Sequence, residues 1–300
     1  MNRTGIEYLD YTWNPTHGCS PVSSGCNNCW ARTMSKRLAG MGVSGYSPDA
    51  PFKAVCSPEK LDEPFRVNKP AVIGVSFMGD LFHDDVPFEF IEQIHDVIRE
   101  CRIHTFILLT KRPQRANDYW QWRQNEYLQP SQNSVPPDNV ILGVSIEDQA
   151  TADERIPWLL KTPAATRMVS FEPALGAVSM WEWFPDGSCE KPQFCKDLAW
   201  HKNPAYENGI DWIVMGGESG PGARPMHPYW ARSMRDQCER ARVPFFFKQY
   251  GEWVRCGMVE DETKYKCQII DGTIMCRVGK KTAGHILDGI VHDYLPEILR

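Results

Sequence analysis

The chain lacks long apolar runs: no stretch approaches 18 consecutive apolar residues, which argues against a membrane-spanning helix. The first residues, M-N-R-T-G-I-E-Y, carry no apolar segment of the kind that directs secretion. The expectation is therefore a cytoplasmic protein whose thiols stay reduced. Positive charge is also scarce. Lys and Arg number 33 against 38 Asp and Glu, a net charge of −5, so a wide nucleic-acid footprint is not expected, although a local basic groove remains open. Two phosphate-binding signatures are missing: the glycine-rich run at 216–225 has no following G-K-[ST], and no G-x-G-x-x-G follows the first strand. There is no internal repeat and no low-complexity tract.

What the chain does have is cysteine in an informative place. Cys19, Cys26 and Cys29 fall within T-H-G-C-S-P-V-S-S-G-C-N-N-C-W. Three thiolates this close hold three corners of a metal site and leave a fourth open. Structural sites normally close all four corners. Three Cys on one loop suit a [4Fe–4S] cluster with one iron free for another ligand. A disulfide framework fits poorly with the odd total of 11 cysteines. A structural zinc site is the other reading, with His17 or His83 as fourth ligand. Cys189, Cys195, Cys256, Cys267 and Cys276 lie further on and offer a second metal site, or are free thiols.

Short apolar runs recur along the chain, at 72–80, 105–113, 139–147, 167–173, 211–219 and 244–251, with L-D-Y-T-W-N at 9–14 as a first strand. Such near-continuous runs of β-branched and aromatic residues predict strands buried on both faces, as in a parallel sheet. Helical periodicity between them predicts helices from Pro87 to Cys101, over 149–161 and over 228–241. The alternation implies right-handed βαβ units. Segments 41–70 and 181–210 read as insertions and candidate lids over one domain of residues 1–251. Residues 252–300 read as a small appendage. The 11 Trp are expected in core and lid packing.

Each expected strand ends in residues a core cannot use: Ser76, Met78, Gly79 and Asp80; Thr110, Lys111 and Arg112; Ser145 and Glu147; Ser170 and Glu172; Gly216, Gly217, Glu218 and Ser219; Lys248 and Gln249. In parallel barrels the active site gathers at that end, while some of these groups serve instead as helix caps. Arg224, in G-G-E-S-G-P-G-A-R-P, has the fork geometry to grip a carboxylate or phosphate.

Six ordered motifs now form a pattern: T-W-N-P-T-H-G-C…G-C-N-N-C-W-A, F-M-G-D-L-F-H-D-D-V-P, L-L-T-K-R-P, S-F-E-P-A-L-G, G-G-E-S-G-P-G-A-R-P and F-F-K-Q-Y-G. Together they resemble the phage Gp37/Gp68 family, a domain of unknown function. That family looks like a branch of the radical S-adenosylmethionine (SAM) superfamily and is distantly similar to spore photoproduct lyase. The resemblance implies an α/β fold built as a partial parallel (β/α)6 barrel. It also implies a [4Fe–4S] cluster on the loop after the first strand and SAM on the unique iron. The superfamily's usual C-x3-C-x2-C spacing is C-x6-C-x2-C here, with Trp30 beside the last cysteine.

By position, the resemblance puts the cluster on Cys19, Cys26 and Cys29. It sets Met78, Gly79 and Asp80 at the methionine amino group, and Ser145 and Glu147 near the ribose or carboxylate. Glu172 and Gly216, Gly217, Glu218 and Ser219 would flank adenine or substrate. The implied chemistry is reductive cleavage of SAM to a 5′-deoxyadenosyl radical that takes hydrogen from carbon. It requires an electron donor such as flavodoxin or ferredoxin, in the host cytoplasm if the chain is phage-encoded. A nucleobase, nucleotide or DNA substrate is the expectation, with Lys111, Arg112, Arg115, Arg224, Lys248 and Gln249 as its contacts. The rival reading is a non-catalytic, zinc-stabilised binding module.

Overall fold

The computed structural model describes residues 1–127, 136–184 and 209–300. By internal contacts the chain forms two units. One comprises Met1–Val144 with Pro157–Arg167 and Leu299; the other comprises Ser145–Ile156 with Met168–Ile298 and Arg300.

The first unit opens with β1 (Asn2–Arg3), antiparallel to β2 (Tyr11–Trp13). A two-stranded ribbon of β3 (Thr16–His17) and β4 (Val55–Cys56) follows. Between those two strands lies α1 (Trp30–Gly40). Next come β5 (Val72–Val75), α2 (Phe88–Glu100), β6 (Thr105–Thr110), α3 (Pro113–Trp122) and β7 (Val140–Ile146). The sheet of this unit runs β1-β2-β5-β6-β7, and every pair after the first is parallel. All seven residues of β7 are buried, so its sequence shows a solid apolar run rather than alternation.

Helix α2 lies one residue inside each expected end and buries Phe90, Ile91, Ile94 and Ile98. Glu92 is buried with them and receives Tyr119, Arg99 and Arg123. Its carboxyl is held below the usual range because these donors outweigh the cost of burial. His95, one turn on, stacks on Tyr119 with ring centroids 5.2 Å apart.

Helix α4 spans Gln149–Lys161. In the second unit β8 (Thr166–Phe171), β9 (Trp212–Gly216) and β10 (Phe245–Gln249) are parallel in that order. Helix α5 (Pro228–Ala241) starts with Pro228 at its first position and His227 accepting from the Tyr229 amide. It buries Trp230, Met234 and Cys238, the spacing read from the sequence.

The tail from 252 falls in the second unit. It forms a three-stranded antiparallel sheet in which β13 (Thr273–Arg277) lies between β11 (Trp253–Arg255) and β12 (Lys266–Ile270). A short helix α6 (Lys280–Ala283) and the hairpin of β14 (Ile286–Leu287) and β15 (Ile290–Val291) complete it.

All seven expected strands are present, and the fold is mixed α/β with largely parallel pairing. The expectation of a barrel goes further than these strands do: they do not show a closed barrel. Two helices were not expected. α1 begins directly after Cys29, and α3 hides its apolar residues in P-Q-R-A-N-D-Y-W-Q-W. Segment 41–70 contains β4 and two short 3-10 turns, Pro58–Lys60 and Glu63–Arg66. Most of the 181–210 insertion, with Cys189 and Cys195, lies outside the described residues. Among the described residues no helix is long and apolar enough to cross a membrane.

Candidate functional site

Cys19, Cys26 and Cys29 are free thiols, each half-buried, on the loop from β3 to α1. The loop is tied down by its own backbone. Gly18 N–H donates to Met78 O at 3.0 Å, and Cys19 N–H to Phe52 O at 3.0 Å. Gly18 and Gly79 touch so closely that a Cβ on Gly79 would lie 2.4 Å from Gly18 O, and one on Gly18 would lie 1.9 Å from Lys53 O. The bare backbone of Gly79 is thus used by the cysteine loop.

A second tie is Arg112, just past β6. Its guanidinium donates to Cys19 Sγ at 3.2 Å, to Asp80 Oδ2 at 3.3 Å, and to Ser20 O and Oγ at 3.0 and 2.8 Å. Asp80 is buried and also accepts from Thr110 Oγ1 (2.7 Å) and from the amides of Phe82 (3.0 Å) and Lys111 (3.1 Å). One carboxylate therefore gathers the ends of β5 and β6. Ser20 Oγ lies 2.9 Å from His83 Nε2, and Asp85 N–H donates to His83 Nδ1. Arg115 donates to the carbonyls of His83, Asp84 and Val86. His17 is buried with Nε2 2.8 Å from Gly45 O and its ring against Tyr46.

These surroundings set the thiols apart. Burial and the Asp80 carboxylate push the Cys19 thiol up to about 11, with Arg112 opposing them. Burial also acts to raise Cys26, but backbone donation from Val22, the charge of Lys111 and bonds from Ser23 outweigh it and leave its pKa lowered. Cys29 stands at the N-cap of α1 and makes no capping bond there. Three thiols on one loop, one of them under an arginine donor, are a donor set that suits an iron–sulfur cluster and zinc alike. Of the candidates for closing a zinc site, His83 has both ring nitrogens hydrogen-bonded, while His17 uses Nε2 and its buried Nδ1 has no hydrogen-bond partner.

The remaining expected residues lie in the second unit. Glu172, after β8, meets Lys248 Nζ at 3.0 Å and accepts from Ser170 Oγ at 3.2 Å. Gly216 leaves room for it, because a Cβ there would sit 2.9 Å from Glu172 Oε1. Gln249 donates through Nε2 to Gly217 O at 3.3 Å, while its Oε1 is buried with no hydrogen-bond partner. A Cβ on Gly217 would fall 2.0 Å from Tyr250 O, and one on Gly251 2.1 Å from Glu218 O.

Glu218 takes three bonds from Arg224: backbone N–H and Nε at 2.8 Å and Nη2 at 2.7 Å. Glu147 is fully buried against Arg155 at 3.1 Å, which also donates to Ser145 O at 2.7 Å. Ser219 is half-buried. The structure thus collects Ser76, Met78–Asp80, Thr110, Lys111, Arg112 and Arg115 with the cysteines in one unit, and the other expected residues in the second. Ser20 and Arg155 were not anticipated. Ser20 sits beside a cysteine in the first motif; Arg155 has no sequence signal, since its partner lies across a strand-to-helix turn.

The chain belongs to the family described as a protein of unknown function, DUF5131, whose model matches residues 3–296. The match carries that description and not the phage naming of the resemblance. No curated protein matches the chain. Among solved structures it is similar to a spore photoproduct lyase double mutant with bound AdoMet and dinucleoside spore photoproduct. The identity is 13% and the TM-score 0.40, covering 92% of this chain and 70% of that one. A cysteine-to-alanine mutant of the lyase with dinucleoside spore photoproduct matches at 11% identity and TM-score 0.37, with the same coverage.

Proposed function

We propose that this chain is a radical SAM enzyme whose Cys19, Cys26 and Cys29 hold a [4Fe–4S] cluster with one iron open to SAM. The observation that carries the reading is the three-thiol loop itself. It holds three free cysteines; of the two histidines able to complete a closed zinc site, His83 has both ring nitrogens hydrogen-bonded, to Ser20 and the Asp85 amide, and His17 holds Gly45 O through Nε2 with Nδ1 unbonded. When bound, cluster and SAM supply a one-electron route to hydrogen abstraction from unactivated carbon.

The chain's own residues do the positioning. Arg112 gives Cys19 a sulfur hydrogen bond, a lever on the potential of a thiolate-held cluster. Asp80 fixes Arg112. Cys29 would hold its share of the group from the N-cap of α1. In the second unit, Glu172 and the unpartnered Gln249 Oε1 are acceptors for hydroxyl or amino groups of SAM or substrate.

The substrate class, a nucleobase, nucleotide or DNA, rests on the motif resemblance. Three of the cations expected to bind phosphate have carboxylate partners here: Arg112 with Asp80, Arg224 with Glu218, and Arg115 with Asp84 at 3.8 Å.

Anaerobic reconstitution of the full chain tests the proposal. Four iron and four sulfide per chain, and 5′-deoxyadenosine formed from SAM under a strong reductant, are expected. Cys26→Ala should lose both. Zinc in place of iron on that loop, or full SAM cleavage by Cys26→Ala, overturns it.

A further inference from the structure

The three cysteines of the tail converge as well. Among the described residues, the set of three metal-ligating side chains whose ligand atoms all lie within 4.8 Å of one another is Cys256, Cys267 and Cys276. Cys256 and Cys276 form a disulfide. Cys267, a free and exposed thiol, sits 3.0 Å from Cys276 Sγ and 3.8 Å from Cys256 Sγ.

The sheet register explains how they meet. Cys267 on β12 lies directly opposite Cys276 on β13. On the other side of β13, Val254 lies opposite Cys276, and Cys256 comes two residues later, its N–H donating to Ile274 O at 2.9 Å. With side chains alternating along a strand, all three thiols fall on one face of the sheet.

A disulfide uses two sulfurs, and the third then has no task at that spot. A single tetrahedral ion uses all three: zinc–sulfur bonds of ~2.3 Å place ligand sulfurs about 3.8 Å apart. A multi-iron cluster would hold its ligand sulfurs on different irons and further apart.

We propose that in the reduced protein Cys256, Cys267 and Cys276 bind one thiophilic divalent cation, zinc, with the fourth position open to water or an exogenous ligand. A dithiol reductant supplies two electrons and two protons to open the Cys256–Cys276 bond and is itself oxidised to a disulfide. Zinc then displaces the three thiol protons to solvent. This site is independent of the Cys19–Cys29 loop.

The test uses the full chain carrying Cys26→Ala, reduced with a phosphine under argon and dialysed against zinc, then against cobalt as optical probe. Close to one zinc per chain is expected, and with cobalt an intense thiolate charge-transfer band together with tetrahedral visible bands. Adding Cys267→Ser should lower retained zinc at least tenfold. Cys267 is exposed, and the oxidised variant keeps the Cys256–Cys276 bond, so its melting curve in that state reports folding separately. Reduced protein that retains no zinc overturns the proposal. So does zinc that is indifferent to Cys267→Ser, or iron with sulfide in place of zinc at these cysteines.

Discussion

At the scale of single residues, the most exacting environment belongs to His95. It is buried, both ring nitrogens lack hydrogen-bond partners, and burial lowers its pKa from 6.5 to about 3. The native ring therefore stays neutral while the unfolded chain takes up a proton below 6.5, so the unfolded state binds more protons and stability falls as pH drops. The slope approaches ~1.4 kcal/mol per pH unit well below 6.5. His95→Phe removes this dependence. Between pH 7.5 and 5.0 the wild type should lose roughly 1–2 kcal/mol more than the variant in urea melts. Equal losses would show that His95 does not titrate on unfolding. The sequence offered no hint of this. His95 sits on the apolar face of a helix that was legible, yet its lack of partners is a property of the packing of Tyr119 and Trp120 around it.

At the scale of elements, the sequence spoke clearly where burial was two-sided. β7 and β9 are buried along their whole length, and such strands leave unbroken apolar runs. Helix α5 announced itself through Trp230, Met234 and Cys238. Helix α3 did not, because Asn117, Tyr119 and Trp120 are buried among polar neighbours and the apolar stripe is broken. The candidate site was legible as residue types at strand ends, but their pairing was not. The Glu218 carboxylate, expected to face a ligand, is taken up by Arg224, and the reason is local: the 216–225 loop folds back within six residues so that Arg224 N and Nε both reach Oε2. Glu218→Gln should accordingly destabilise the protein by ~1–2 kcal/mol, the lower part of the range for charged hydrogen bonds because Arg224 is partly exposed. Equilibrium urea melts measure this; an unchanged midpoint would show that the pair does not hold the loop.

At the scale of the whole chain, the cysteine loop is tied down by bonds of the polypeptide itself. The Gly18–Gly79 contact, the Arg112 fork and the buried Asp80 are all made by the polypeptide. This is the opposite of a small metal-nucleated module, in which ligation supplies the folding free energy. Iron-free protein should therefore keep its far-ultraviolet circular dichroism and melt cooperatively. A spectrum of unfolded chain after chelation would contradict the assignment of those ties.

The glycine contacts also bear on where the molecule is able to move. Side chains in contact rotate out of each other's way, but backbone pressed on backbone, as at Gly79 on Gly18 and Gly217 on Tyr250, has no such freedom. Sliding one strand end past its neighbour would break both the contact and the hydrogen bonds beside it, Gly18 N–H to Met78 O and Gly217 N–H to Gln249 O. Within each unit, freedom to rearrange beside these contacts is left to long cationic arms, Arg112 in the first and Arg224 and Lys248 in the second.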